Sequence, residues 1–576
     1  MREAGATARL MLVRAAAQQW GVSPDECTTD LHHVVLRSSG RKIDYGQLVA
    51  AAARLPVPQK SELKFKSRDQ WRYIGKGENP YDLRDYCTGK ATYGIDAKTD
   101  GMVFAAIAHP PVLGGMVKSL DDSAARNVKG VQQTVTIPTF KPPCQFQPLG
   151  GVAVIADNTW SAFQGRKQLK IEWNHGANAS YNSDEFRKQL QATARKPGKV
   201  WRSHGDVDSE FSKGGKVIEA EYYVPHLAHA SMEPPMALAD VKAGNATVWT
   251  CTQNQQAVQE AVGKALGIAK ENVICYVTLL GGGFGRKSMP DNAVEAAVLS
   301  RKIGKPVKVV WSRDDDIKFD YYHTVSAAYM KAAVDAKGKP SAWLQRVVYP
   351  PIGSIFTAGT EYAGAGEMQQ GWTDIPYAIP NLRVENGPAP AHVRIGWFRS
   401  VANIYQAFAV QTFTDELAAS AGRDRVEYLL ELIGSPRIID LKQEGVQYPN
   451  HGASPELYPL DTARLRHVVE LAAERSGWGK EKPRNGVGYG IAAHRSFLTY
   501  VACVVKVEVN NDGDIVIPRV DYVVDTGTVV NPDRVRSQFE GAAVYGASLT
   551  RFGEITAKNG VIEQSNFNDY PVARIN

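Results

Sequence analysis

Several absences narrow what this chain can be. Its 576 residues hold only 6 cysteines, Cys27, Cys87, Cys144, Cys251, Cys275 and Cys503, with no Cys-x-x-Cys pair among them. That scatter argues against a zinc site and against an iron–sulfur cluster carried by this chain. Cys251, Cys275 and Cys503 lie in apolar strand-like runs, where a buried, inert thiol is expected. There is no uninterrupted lysine and arginine tract, and a net charge of +7 is mild at this length. Nucleic acid is therefore not an expected partner. No apolar stretch reaches the roughly 18 residues of a membrane-crossing helix, so any membrane link passes through a partner. No Gly-x-Gly-x-x-Gly stands at a strand-to-helix turn with an acidic residue beyond it, which leaves little for a flavin or nicotinamide site.

What is present is ordinary in bulk and unusual in one place. A hydrophobic fraction of 44% and a charged fraction of 22% are those of a globular protein, and the length calls for about two to four domains. The unusual place is Gly281-Gly282-Gly283-Phe284-Gly285-Arg286-Lys287. It follows the apolar run Val273–Leu280 and precedes a helix pattern that opens at Asp291. Glycines there let the backbone take positive φ and approach another surface closely. Such a turn also aims several N–H groups at one spot, a seat for phosphate or another electron-rich group. A tight turn with no ligand fits the same residues equally well.

The surroundings decide between the two. Upstream lies Trp249-Thr250-Cys251-Thr252-Gln253-Asn254-Gln255, then Val258, Ala261, Val262, Ala265 and Leu266 on one face of a helix that Gly267 stops. A further strand, Pro306–Trp311, follows the glycine turn. The segment Arg394-Ile395-Gly396-Trp397-Phe398-Arg399-Ser400-Val401-Ala402-Asn403 precedes a helix with Val410, Phe413, Leu417 and Ala418 on one face. Near the end, Val501, Cys503, Val505, Val507 and Val509 alternate with Ala502, Val504, Lys506 and Glu508 as a half-buried strand. Asp525-Thr526-Gly527, Asn531-Pro532 and Gln538-Phe539-Glu540-Gly541 come after it. In this order the motifs resemble the molybdopterin-binding large subunit of the xanthine dehydrogenase and aldehyde oxidase family. Within it, they are most similar to the isoquinoline oxidoreductase and membrane-bound aldehyde dehydrogenase type.

The resemblance implies an α+β, multi-domain molybdenum hydroxylase large-subunit fold. Residues 1–58 would be part of a second molybdopterin-binding domain, 59–80 a linker, and 81–175 an α/β hammerhead domain. Residues 176–215 would be a linker, 216–435 the first molybdopterin-binding domain, 436–484 a connecting segment, and 485–576 the rest of the second domain. It also implies molybdopterin with molybdenum, in the cytosine dinucleotide form, held by Gln253, Gly282, Gly283, Phe284, Gly285, Arg399, Ser400 and Gln538. His494 and Ser496 are weaker candidates. His226, His229 and Glu233 suggest a metal cluster, but Pro225, Pro234 and Pro235 break the helix that would align them.

The implied activity oxidises an aldehyde or hydroxylates an N-heterocycle with oxygen from water. Electrons would leave to a small [2Fe–2S] subunit, with a c-type cytochrome as a further partner, in the periplasm or at a membrane through a partner. The opening matches a point well inside the long family members. The family's catalytic glutamate would lie beyond Asn576, and Gly553-Glu554 belongs to an earlier strand, so no catalytic residue is assigned here. A truncated, non-catalytic chain that keeps the fold is the alternative expectation, and the isolated chain is expected to be inactive.

Overall fold

The computed structural model describes residues 1–481 and 484–574. Asn576, past which the glutamate is expected, lies outside them, as do residues 482–483 of the expected connecting segment. The chain divides into two compact units, Met1–Glu78 with Thr528–Arg536, and Asn79–Gly527 with Ser537–Asn576.

In the first unit the helix Arg2–Trp20 ends at Gly21, whose left-handed φ of 69° lets its N–H cap the last turn. A three-stranded antiparallel sheet of Cys27–Asp30, His33–Leu36 and Lys42–Asp44 leads into the helix Tyr45–Ala52. Asp44 caps that helix by accepting from the Gly46 N–H. Ala16 and Ala17 pack with Val34, Leu48 and Ala52, small side chains that let the two helices approach closely.

The second unit holds the glycine turn. Its mixed seven-stranded sheet runs in the order Val273–Val277, Asn245–Thr250, Met236–Lys242, Val307–Val310, Val103–Ala108, Gly151–Ala156 and Val131–Ile137. Strands of the expected hammerhead segment thus share a sheet with strands of the expected first cofactor-binding domain. The joint is the parallel pairing of Val307–Val309 with Val103–Ala105. Helices Gln255–Leu266 and Asp291–Ile303 cover this sheet through Val258, Val262, Ala293 and Ala297.

A five-stranded sheet orders Lys216–Val224, Ser326–Val334, Pro340–Val348, Asn381–Gly387 and Lys199–His204. Its central strands are buried on both sides. The helix Asn403–Ser420 packs Phe413 and Leu417 against one side, and Ser183–Ala194 packs Phe186, Leu190 and Ala194 against the other. Residues 176–215, expected to be a linker, are therefore folded. Polar composition hid an apolar stripe at every fourth residue, which is a helix face. The expected connecting segment 436–484 likewise contains the helix Thr462–Ser476, which buries Leu465, Val468, Val469 and Ala472.

That helix lies on a three-stranded meander of Val487–Ser496, Thr499–Val509 and Ile515–Asp525. In the middle strand Tyr500, Ala502 and Val504 are buried, while Val501, Cys503 and Val505 are half-buried. Both phases are apolar there, so alternation alone could not choose the face that the helix covers. No helix among the described residues is long and apolar enough to cross a membrane.

Candidate functional site

The glycine turn links the strand Val273–Val277 to the helix Asp291–Ile303, and its glycines are required by contact. Gly282 and Gly285 have φ of 90° and 112°. A Cβ on Gly283 would fall 2.5 Å from Oε1 of Gln253, and one on Gly285 would fall 1.6 Å from the Trp397 carbonyl oxygen. No side chain fits such spaces. The Gly285 N–H donates to Oε1 of Gln253 at 3.0 Å, which leaves the Gln253 amide NH2 free to donate elsewhere. The N–H groups of Gly282, Gly283 and Phe284 have no acceptor among the described residues.

Charges fix the turn from behind. The fully buried Arg286 guanidinium donates twice to Asp291, at 2.9 and 3.1 Å, and lies against the rings of Trp311 and Tyr321. Arg394 donates to the same carboxylate at 2.8 Å. Burial would raise the Asp291 carboxyl, but the two guanidiniums outweigh it and hold the group below the usual carboxylate range. Lys287 pairs with Glu233 at 2.9 Å, and Glu233 also accepts from the N–H groups of Gly281 and Ile95.

Across from the turn lies the loop that carries Arg399. Ser400 and Val401 have φ of 72° and 48°, a region that residues with side chains rarely adopt. Neutral hydrogen bonds hold it there. Asn403 donates to the Ser400 carbonyl at 2.8 Å, and Oε1 of Gln370 accepts from the Ala402 N–H at 3.0 Å and from Asn403 at 3.2 Å. His494 bonds to Oδ1 of Asn403 at 2.7 Å, and burial draws its imidazole down to about 4, which keeps it neutral. His494 thus supports the loop from behind. Ser496 pairs with Thr499 at the hairpin end.

One aromatic side chain joins the two segments. The Tyr545 ring, on the helix Pro532–Phe552, stacks on Phe284 (centroids 5.1 Å apart) and on Phe398 (5.7 Å). The Arg399 guanidinium sits 5.5 Å from the same ring. Arg399 donates to the Gln538 carbonyl at 2.9 Å and meets its side-chain oxygen at 3.4 Å. Gln253, Gly283, Phe284 and Gly285 therefore converge with Arg399, Ser400 and Gln538 around Tyr545. Arg399 forms no ion pair with a carboxylate among the described residues.

Arg399, Ser400, Tyr545, Phe408 and Leu549 line an adjoining cavity of about 590 Å³, large enough for a small ligand. Glu554, set aside as a base in the sequence, lines it as well. His226, His229 and Glu233 do not converge on a common point. Nδ1 of His226 lies between the His323 carbonyl and the Val325 N–H, either of which it can bond according to tautomer, while His229 bonds to Asp320 and Glu233 to Lys287.

Tyr545 and Ser231 were not found from the sequence. Tyr545 is seven residues after Gln538 on one helix, hence on the same face two turns later, a spacing that could have exposed it. Both have buried hydroxyls with no hydrogen-bond partner among the described residues, and Ser231 Cβ lies 3.5 Å from where a Cβ on Gly282 would stand. Orphaned hydroxyls, unused turn N–H groups and a guanidinium facing only neutral acceptors suit an anionic group rich in acceptors. The residues present therefore fit a molybdopterin.

Comparison with known proteins supplies the family. Residues 191–430 and 434–576 each match a molybdopterin cofactor-binding domain. The membrane-bound aldehyde dehydrogenase of Gluconacetobacter polyoxogenes, a protein named for pyrroloquinoline quinone, is 30% identical over 595 residues, covering 100% of this chain and 75% of that one. The chain belongs to the molybdopterin-binding large subunits of the molybdenum hydroxylases. Isoquinoline 1-oxidoreductase subunit beta of Brevundimonas diminuta, another relative, is 28% identical over 630 residues, with the same 100% and 75% coverage. The fold of this large-subunit family is shared with quinoline 2-oxidoreductase from Pseudomonas putida 86, at a TM-score of 0.67 and 14% identity over 88% of this chain and 90% of that one.

Proposed function

We propose that this chain binds the molybdenum cofactor in an enzyme that oxidises an aldehyde or hydroxylates an N-heterocycle with oxygen from water. A [2Fe–2S] subunit takes the electrons and a c-type cytochrome can follow it, in the periplasm or at a membrane through a partner. The cofactor is the cytosine dinucleotide form. The observation that carries the reading is the meeting of the glycine turn and the Arg399 loop at Tyr545, where turn N–H groups and the Tyr545 hydroxyl have no partner among the described residues.

The bound group would supply two-electron redox chemistry at one centre. This chain's own residues would bind and orient it. Backbone N–H groups of Gly283 and Phe284 and the amide NH2 of Gln253 donate from one side. The Arg399 guanidinium balances negative charge from the other, with Gln538 fixing its direction. Donors already in place need no rearrangement as charge builds up.

Molybdenum per chain, measured in the protein purified alone and with its co-purifying polypeptides, tests the proposal. Molybdenum in the assembly supports it. A pyrroloquinoline quinone with no molybdenum would replace it with quinone chemistry, the cofactor in the name of the Gluconacetobacter relative. Tyr545→Phe should lower molybdenum content or turnover by roughly tenfold, yet stabilise the cofactor-free chain by about 1 kcal/mol, because a buried orphan hydroxyl is removed. The resemblance assigns no catalytic role to Glu554, which lines the cavity. Glu554→Gln should therefore leave turnover of the loaded assembly within about twofold, whereas a loss near 10³-fold would make Glu554 the base.

A further inference from the structure

His229 precedes the glycine turn by more than fifty residues and takes no part in the cofactor contacts described above, yet it touches both segments that form the site. Its ring is fully buried. Nδ1 lies 2.9 and 3.0 Å from the two oxygens of Asp320, and Nε2 lies 3.0 Å from the Trp397 carbonyl oxygen. A carboxylate and a carbonyl are both acceptors, so the ring is held between acceptors on opposite sides. The Trp397 carbonyl is the atom that a Cβ on Gly285 would strike, and that Cβ would also fall 3.2 Å from Nε2 of His229. On the other side, Asp320 lies 3.2 Å from Nε of Arg286, the residue after Gly285, and accepts from the backbone N–H groups of His229 and Tyr321, each at 2.7 Å. The Phe398 ring closes the pocket at 5.0 Å.

We infer that His229 is a positioning residue, a clamp that ties the Trp397–Val401 loop to the Gly282–Arg286 turn and so sets the spacing across the cofactor site. The observation behind this is the pair of opposed acceptors bridged by a single ring, one the Trp397 carbonyl of the loop and the other Asp320, the carboxylate beside Arg286 of the turn. A histidine that only filled the core would need one partner, and would not place its second nitrogen on the carbonyl against which Gly285 is fitted. Asparagine can keep the Asp320 bond but does not reach Trp397. Glutamine can reach Trp397 at the cost of the Asp320 bond. The two variants therefore cut the clamp at different ends. What the two segments face rests on the function proposed above, whereas the clamp is tested without it.

Hydrogen–deuterium exchange on the cofactor-free chain is the test. His229→Asn should speed exchange at the bonded amides of Val401 and Asn403 roughly tenfold. Exchange in the helix Thr462–Ser476 should stay within about twofold of the unmodified protein. His229→Gln should restore protection at Val401 and Asn403 while loosening Arg286 and Ser288. Unchanged exchange in both variants, or acceleration spread evenly over the chain, overturns the clamp. Should the variants not fold, the unmodified protein decides: under rising denaturant the two segments should lose protection together, and separate loss overturns the inference. In the loaded assembly the Mo(V) resonance spectrum should change in His229→Asn and recover in His229→Gln. Absence of molybdenum from every form, the unmodified one included, would count against the proposed function alone.

Discussion

The glycine turn and the Arg399 loop face each other across Tyr545 and reach unusual backbone shapes by opposite means. In the turn, Gly282 and Gly285 carry most of the positive φ, with Phe284 at 53°, and charge secures it, through Arg286, Asp291 and Arg394 and through Lys287 with Glu233. In the loop, Ser400 and Val401 carry positive φ despite their side chains, and the amides of Gln370 and Asn403 and the neutral His494 hold them. Glycine makes the first shape nearly free of strain. The second stores on the order of 1–3 kcal/mol per residue, borne by the surrounding bonds. Donors can be fixed either by a backbone that prefers the shape or by a network that imposes it, and this site uses one of each.

The contrast is broken most violently at Gly285. Gly285→Ala drives a methyl group into the Trp397 carbonyl, and about 4–5 kcal/mol of stability should go, with most of the molybdenum. Denaturant unfolding beside metal analysis checks it, and a fully loaded, stable variant would mean that the turn adapts. Next in size is Arg286→Met, which should cost about 3 kcal/mol by leaving Asp291 and Asp320 partly uncompensated, with Arg394 and His229 still beside them. Asn403→Ala, on the neutral side, should cost only about 1–2 kcal/mol. Equal losses in the two variants would erase the distinction between charged and neutral anchoring.

The two segments also differ in how far the sequence reveals them. The turn, the helix Gln255–Leu266 with its Gly267 stop, and the helix opening at Asp291 are local patterns, and all three stand where they were expected. Arg399 came from family resemblance, since nothing in its own spacing calls for a site. Ser231 and His229 reach the centre from other elements and only the tertiary fold brings them there, whereas Tyr545 shares a helix face with Gln538. Residues 176–215 were misread for a different reason: abundant polar residues outweighed the short stripe of Phe186, Leu190 and Ala194.

A smaller test lies behind the loop at Glu367, three residues before Gln370. Burial raises its carboxyl to about 7, and the Ile352 N–H that it accepts only partly opposes this. The folded pKa is above the unfolded one, so this contribution to stability is whole in acid and is lost as pH rises from the ordinary glutamate range through about 7. Glu367→Gln keeps the acceptor and cannot ionise. It should flatten that slope and gain about 2 kcal/mol at neutral pH, measured by unfolding across a pH series. An unaltered slope would show that the network behind the loop tolerates a charge, and that its neutrality is not what shapes the loop.

The finest test is Ser400→Gly. If the loop is strained at φ 72°, glycine should relieve it, while the extra freedom it gives the unfolded chain takes part of the gain back. The balance should be a stabilisation of about 0.5–1 kcal/mol, visible as a raised denaturation midpoint. Cofactor retention should move the other way, because a relaxed loop no longer holds Arg399 in one direction. Stability and molybdenum content rising together would mean that the strain does nothing for the site. Falling stability would mean that the Asn403 bond to the Ser400 carbonyl already selects the shape at no cost. In that case the loop, like the turn, is a backbone at ease.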